Sequence, residues 1–350
     1  MNLGRNFYKP LADGAPEPSN EPNDNLERVI HFFPPHLKKV TDKLPSLCKA
    51  SDIILGNLED GISPKDKIKA RKSFVKVSKK LDLKNTGLWT RVNAINSKWF
   101  LDDVSYIIEN LANKLDVIML PMINTPEEIL FADRIIALNE AKYKLKKQIK
   151  IHVILETAAG IMNVEDLAAC SPRLHGFSLG PADLAASRGM KTVRVGGSHP
   201  DYGVLGDKQE KKSDREFLQQ DLWHYSLSKI IDACSANNIK SFFGPYGDFD
   251  DPEGCESQFR NAFILGCSGA WSLHPSQVEI AKKVFCPSVE EIQKASKIIK
   301  AMGDGTGAVK VDGKMQDDAT VKQANVIINL AMKIKKKDPK LAKDFAVYLK

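Results

Sequence analysis

The chain has 350 residues, 43% hydrophobic and 27% charged, the balance of a globular protein with a large core and not of a disordered or fibrous one. No apolar run approaches the roughly 18 residues that span a bilayer, and the first 25 residues hold no apolar signal segment, so the expected setting is cytoplasmic with no membrane partner. The formal charge is +7, but Lys333–Lys350 carries seven Lys and two Asp, so +5 sits there and the remainder is nearly neutral; a polyanion groove needs a basic face, and nucleic acid is not an expected partner.

In chain order, residues 1–27 place Pro10, Pro16, Pro18 and Pro22 among Asn, Asp and Glu and predict an extended arm. Eight short apolar or β-branched runs come next, at 29–33, 52–58, 87–92, 116–120, 151–156, 174–179, 239–243 and 268–273, each leading into a longer amphipathic stretch. Helix starts are marked by Pro64 with Ser63 as N-cap, by Thr125-Pro126-Glu127-Glu128 and by Asp251-Pro252-Glu253. Eight alternating units over residues 28–287 predict an α/β fold, the (β/α)8 TIM barrel, and no G-x-G-x-x-G follows the first run to suggest a dinucleotide-binding sheet. From 288 to 350 the pattern reads as helix only: 289–302, a Gly-rich hinge at 303–307, 318–332 and a basic tail, together a helical lid extension. The six cysteines form no C-x-x-C pair and read as reduced thiols, with Cys255 and Cys267 as packing residues.

Barrel enzymes carry their chemistry at the C-terminal strand ends, so the search narrows to the residues just after each run. Glu59 and Asp60 lie after the second, Arg91 and Asn93 after the third, Glu156 after the fifth, Gly180-Pro181-Ala182-Asp183 after the sixth, Gly244-Pro245-Tyr246-Gly247-Asp248 after the seventh and His274-Pro275 after the eighth. Carboxylates from separate strands, without Cys or paired His, suit a hard cation, Mg²⁺ or Mn²⁺, with Glu156 and Asp183 as ligands; the competing reading makes each a helix cap or a rim ion pair. Arg91 is either a bidentate clamp for a substrate carboxylate or a structural partner of Glu59 or Asp60. His274 is either an acid–base group or a packed loop residue.

The segments Leu58-Glu59-Asp60-Gly61, Arg91-Val92-Asn93, Ile154-Leu155-Glu156-Thr157-Ala158-Ala159-Gly160, Ser171-Pro172-Arg173, Gly180-Pro181-Ala182-Asp183, Gly244-Pro245-Tyr246-Gly247-Asp248-Phe249 and His274-Pro275-Ser276-Gln277 occur in order. In these motifs the chain resembles the citrate lyase β-subunit-like (HpcH/HpaI aldolase) family over roughly residues 28–330. The resemblance implies Mg²⁺-dependent cleavage or formation of a β-hydroxyacyl-CoA such as malyl-CoA, from glyoxylate and acetyl-CoA or propionyl-CoA. It implies Glu156 and Asp183 on the metal, Arg91 on the glyoxylate carboxylate, Glu59 and Asp60 ordering metal-bound water, and Pro181, Ala182, His274 and Pro275 lining the substrate site. It further implies that Asp317 is an acid–base group delivered by a lid to a neighbouring subunit's site, in a homotrimer or homohexamer. The alternatives are a thioesterase of the same family, a CoA-independent aldolase, and a noncatalytic barrel binding acyl-CoA or nucleic acid. The chain departs from the family pattern at Pro34-Pro35-His36, Asn57, Met122 and Ala270.

Overall fold

A computed structural model describes residues 11–18, 24–207, 215–303 and 307–349. The strands in chain order are β1 (Val29–Phe33), β2 (Ile53–Asn57), β3 (Gly87–Arg91), β4 (Val117–Leu120), β5 (Lys150–Leu155), β6 (Leu174–Leu179), β7 (Gly203–Leu205), β8 (Phe217–Gln219), β9 (Lys240–Phe243), β10 (Gly269–Ser272), β11 (Ala308–Val311) and β12 (Lys314–Asp317). Eight of them close a parallel barrel in the order β1-β10-β9-β6-β5-β4-β3-β2, and these eight are the apolar runs read from the sequence. The described residues fall into two compact units, 11–18 with Glu27–Ala281, and Asp24–Leu26 with 282–349.

The barrel strands are buried on both faces, which is why they read as continuous apolar runs. Ile30, Phe32, Ile53, Leu55, Trp89, Val117, Met119, Ile154, Phe242 and Trp271 form one packed cluster. Thr125 opens the helix Pro126–Lys142 with a capping box to Glu128, and Asp251 caps Pro252–Leu265 through the Gly254 N–H at 2.8 Å. Ser63 acts differently from a simple N-cap: its hydroxyl donates to Asp66, Pro64–Asp66 is a 3₁₀ turn, and the α-helix begins at Lys67. β7 and β8 pair antiparallel outside the barrel, an excursion between β6 and β9 that the sequence reading passed over because both strands are three residues long.

In the second unit, helices Val289–Met302 and Asp318–Lys337 bury Ile292, Ala295, Ile298, Ala324, Ala331 and Ile334. The helix-only reading of this region fails at β11 and β12, an antiparallel pair joined by Asp312 and Gly313, both left-handed. The turn chemistry of Asp-Gly was the missed signal. The basic tail is also more than a solvated run: Ala342 and Phe345 lie in the unit's core, and Lys282 meets Asp338 at 3.3 Å. Of the Gly-rich hinge, Gly303 and Gly307 are left-handed and residues 304–306 fall outside the described residues, as do residues 1–10 and 19–23 of the N-terminal arm. The arm's last residue, Glu27, is a buried ion-pairing group. All six cysteines are free and buried, and burial raises the thiol pKa of Cys48, Cys170, Cys234, Cys255 and Cys267.

Candidate active site

Parallel closure puts the C-terminal ends of β2, β3, β5 and β6 at one mouth, and the polar residues that succeed them meet there. Arg91 ends β3 opposite Asn57 of β2. Its Nε donates to Asn57 Oδ1 at 2.8 Å, one terminal nitrogen lies 3.2 Å from Glu59 Oε2 and the other 3.5 Å from Asp60 Oδ2. A guanidinium has five N–H donors, so with one given to each of these partners two remain, one on each terminal nitrogen. Arg91 thus makes the ion pairs of the structural reading and retains two further N–H donors.

Glu156 comes directly after β5 and is buried, with its Oε1 taking the Met122 backbone N–H at 2.7 Å. Met122 adopts a left-handed φ of 58°, an uncommon state for a non-glycine residue, and Asn124 Nδ2 holds its carbonyl at 2.9 Å. Thr157 caps the next turn through the Gly160 N–H and donates to Asn124 Oδ1 at 2.6 Å, so the β4 and β5 loops are stitched around Glu156. The other oxygen, Oε2, occupies the space in front of Gly180; a Cβ there would lie 2.5 Å from Glu156 Cβ and 2.8 Å from Oε2, which only glycine avoids.

Gly180-Pro181 then opens the helix Pro181–Ser187 and sets Asp183 in its first turn, with Pro181 buried and Ala182 and Asp183 open to solvent. Burial pushes the Glu156 carboxyl up to about 8 against the pull of Arg91 and Met122, with Asp183 and Glu59 adding to the rise. Desolvation in the mouth, then Asp60, raises Asp183; burial raises Glu59 against Arg91. Carboxyls held in this state are undercompensated, as expected of a site that receives a cation.

Lys67, absent from the sequence reading, is buried at the start of its helix and donates to the carbonyls of Leu58 at 3.0 Å and Glu59 at 2.5 Å. Burial lowers its pKa. A lysine in the first turn of a helix opposes the helix dipole, and that was the available signal. Fully ionised, the four carboxylates Glu59, Asp60, Glu156 and Asp183 would exceed the two cations Arg91 and Lys67 by two negative charges, the amount one divalent ion would cancel. Among the described residues no three His, Cys, Asp or Glu side chains gather as a ready-made cage. Two carboxylates with the remaining positions left to substrate and water is the donor set that suits Mg²⁺.

The other singled-out residues hold local structure. Asn93 is pinned by Asp103 at 3.1 and 2.6 Å, and Asp103 is held by Arg71 at 2.6 Å. Arg173 is a buried strut between Asp133 and Glu140. In the Gly-Pro-Tyr-Gly segment, Tyr246 donates to Asp251 at 2.6 Å and Gly196 passes so close to the Pro245 carbonyl that a Cβ would lie 2.3 Å from it. His274 is exposed, stacked on Phe249 at 5.4 Å, with Nδ1 accepting from the Ser276 N–H at 3.3 Å; Pro275 starts the next helix. In the second unit Asp317 caps helix Asp318–Lys337, its Oδ1 accepting from the Thr320 N–H at 3.1 Å.

The HpcH/HpaI aldolase/citrate lyase family profile matches residues 28–275. The chain is 55% identical over 345 residues to the malyl-CoA/beta-methylmalyl-CoA/citramalyl-CoA lyase of Chloroflexus aurantiacus, covering 99% of each chain. It is 36% identical over 310 residues to the L-malyl-CoA/beta-methylmalyl-CoA lyase of Rhodobacter capsulatus, covering 87% of this chain and 95% of that one. In fold it is similar to a citrate lyase from Burkholderia xenovorans, with a TM-score of 0.72 at 19% identity, covering 92% of this chain and 97% of that one. The CitE protein of Mycobacterium tuberculosis, crystallised with magnesium, acetoacetate and coenzyme A, gives 0.66 at 22% identity, covering 88% and 99%. The chain belongs to the HpcH/HpaI aldolase/citrate lyase family.

Proposed function

We propose that the chain is a carbon–carbon lyase that cleaves malyl-CoA to glyoxylate and acetyl-CoA, and condenses them in reverse, with propionyl-CoA as a second acyl partner. The observation that carries this reading is the 55% identity over essentially the whole of both chains to a lyase of that name. A divalent cation at Glu156 and Asp183, Mg²⁺ with Mn²⁺ as the alternative, supplies a Lewis acid for the oxygens of glyoxylate. Arg91 offers its two remaining N–H groups to the glyoxylate carboxylate and so orients the carbonyl in the mouth. Glu59 and Asp60 order water at the site, and Pro181, Ala182, His274 and Pro275 line the path of the acyl-CoA.

Cleavage removes the proton of the β-hydroxyl, turns that oxygen into the glyoxylate carbonyl, breaks the adjacent C–C bond and leaves the thioester enolate, which takes a proton on carbon. Asp317 is the group that accepts the hydroxyl proton and returns one to carbon, arriving with the second unit of a neighbouring copy in a homotrimer or homohexamer.

The test is turnover of malyl-CoA by purified protein with Mg²⁺ and with chelator. Glyoxylate plus acetyl-CoA, lost on chelation, is the expected result; malate plus free CoA would make the chain a thioesterase and overturn the reading. For the shared site, Asp317→Asn and Glu156→Ala proteins are each nearly inactive alone and recover part of the activity after subunit exchange. Inactive parents that never complement after proven exchange would assign Asp317 to its own subunit.

A further inference from the structure

Asn124 lies in the turn between β4 and the helix Pro126–Lys142, and each of its four polar groups is engaged. Its N–H donates to Glu128 Oε2 at 2.6 Å, and its carbonyl accepts from Asn163 Nδ2 at 2.8 Å. Its Nδ2 donates to the Met122 carbonyl at 2.9 Å, and its Oδ1 accepts from the Thr157 hydroxyl at 2.6 Å. The carboxamide thus joins two residues that bear directly on Glu156. Thr157 follows Glu156 in the chain, and Met122 gives its Oε1 a backbone N–H at 2.7 Å. Met122 sits at a left-handed φ of 58°, a state that a residue with a side chain keeps only where surrounding contacts fix it. Gly160 brings the turn after β5 so near the β4 loop that a Cβ there would lie 2.6 Å from the Ile123 carbonyl oxygen. The two loops are in close contact, and the Asn124 carboxamide bonds to both.

We infer that Asn124 is a positioning residue for the divalent cation: by tying the Met122 turn to Thr157 it keeps the Met122 N–H on Glu156 Oε1 and so leaves Oε2 to the ion. The two oxygens of Glu156 are already distinct. Oε1 is taken by the peptide, whereas Oε2 fills the space in front of Gly180, three residues before Asp183. The last torsion of a glutamate is broad and roughly two-fold, so without that hydrogen bond either oxygen could turn to the ion. A carboxylate oriented beforehand receives the ion without having to be ordered by it, which is how groups that hold a metal's ligands raise affinity. The inference rests on the placement of the cation at Glu156 and Asp183, and it concerns cation binding alone.

The experiment measures Mn²⁺ binding to the full chain through the electron paramagnetic resonance signal of the free ion, with no CoA compound present. Asn124→Ala, which removes both side-chain bonds, is expected to raise the Mn²⁺ Kd about tenfold. Thr157→Val removes the hydroxyl given to Asn124 and should weaken binding by a similar factor, whereas Thr157→Ser keeps the hydroxyl and should stay within about twofold of wild type. Because the two groups act through one bond, the double variant Asn124→Ala/Thr157→Val should bind little more weakly than the weaker single variant. Thermal melting is recorded in parallel. Variants that melt at lower temperature yet bind Mn²⁺ as wild type does would make Asn124 a structural residue and overturn the inference, as would a Thr157→Ser protein as impaired as Thr157→Val. The Thr157 pair carries the test by itself where Asn124→Ala does not fold. Wild-type Mn²⁺ affinity in Glu156→Gln would count against the cation placement, whereas a loss in Glu156→Gln with none in Asn124→Ala would count against Asn124 alone.

Discussion

The barrel holds two clusters of ionisable side chains, one at each end of its strands, and their states are opposite. From the N-terminal ends into the barrel interior, the Glu27 carboxylate takes His175 Nε2–H at 2.9 Å and Lys240 at 2.5 Å; His152 and His175 meet through their Nδ1 atoms at 3.0 Å; Ser178 bonds His152 Nε2 at 2.7 Å and receives Trp271 Nε1–H at 2.8 Å. Starting from the acceptor Glu27, each tautomer is forced in turn: His175 carries its proton on Nε2, His152 on Nδ1, and Ser178 donates to His152. Every polar atom of this relay is satisfied with both imidazoles neutral, and burial holds both histidines below their usual range. Burial pushes Glu27 up, but His175 and Lys240 more than offset it and hold the carboxyl well below its usual range. The mouth has the same residue types in the reverse condition, with Glu156, Asp183 and Glu59 all raised. A satisfied buried network specifies the fold, and an undercompensated one waits for a ligand.

Neutralising one carboxylate in each cluster separates the two roles. Glu156→Gln keeps the shape, removes the charge that burial disfavours, and removes the proposed metal ligand. Its Mg²⁺-dependent turnover should fall by roughly 10³-fold or more while its melting temperature holds or rises. A variant that loses activity only because it unfolds would erase the distinction drawn for the mouth.

Glu27→Gln is the mirror experiment. Removing the charge of Glu27 breaks its buried ion pair with Lys240 and should cost about 3 kcal/mol of stability, measured by denaturant unfolding. Turnover per folded molecule should stay near wild type, since Glu27 precedes β1 at the opposite strand ends from Arg91 and Glu156. A large drop in kcat with intact stability would show that the floor does more than hold the barrel.

The mouth was far more legible in the sequence than the floor. Glu59, Arg91, Glu156 and Asp183 each sit at or just past the end of an apolar run, so strand ends could be searched for them directly. The relay is spread over Glu27, His152, His175, Ser178 and Trp271, with no ligand spacing, and only closure of β6 onto β5 and β9 brings them together. For the same reason all eight barrel strands were readable, each being a continuous apolar run, while β7, β8, β11 and β12 are three or four residues long with exposed positions. Lys67 and the Met122 N–H escaped because one is a buried lysine in a basic helix and the other a backbone group in a left-handed turn.

Arg91→Lys probes the mouth more gently. The ammonium keeps the charge but cannot hold Asn57, Glu59 and Asp60 while presenting a two-pronged edge, so the glyoxylate KM should rise about tenfold with little change for acetyl-CoA. Equal losses for both substrates would return Arg91 to the structural role that its ion pairs with Glu59 and Asp60 already describe.

The smallest effect belongs to a single histidine of the floor. His152 is neutral in the folded chain because burial lowers its pKa below the usual value near 6.5. Below that pH the unfolded chain binds a proton there that the folded chain refuses, so stability is full above about 6.5 and is lost as pH falls. Lowering the pH from 7 to 5.5 should therefore cost wild type about 1 kcal/mol through this residue alone. His152→Gln is less stable than wild type at pH 7, because a packed imidazole is lost, but it lacks this titration. The stability gap between the two proteins should narrow by that amount across the same interval. A gap that is constant with pH would mean that His152 titrates alike in both states, and the assignment of a neutral relay from Glu27 to Ser178 would fail with it.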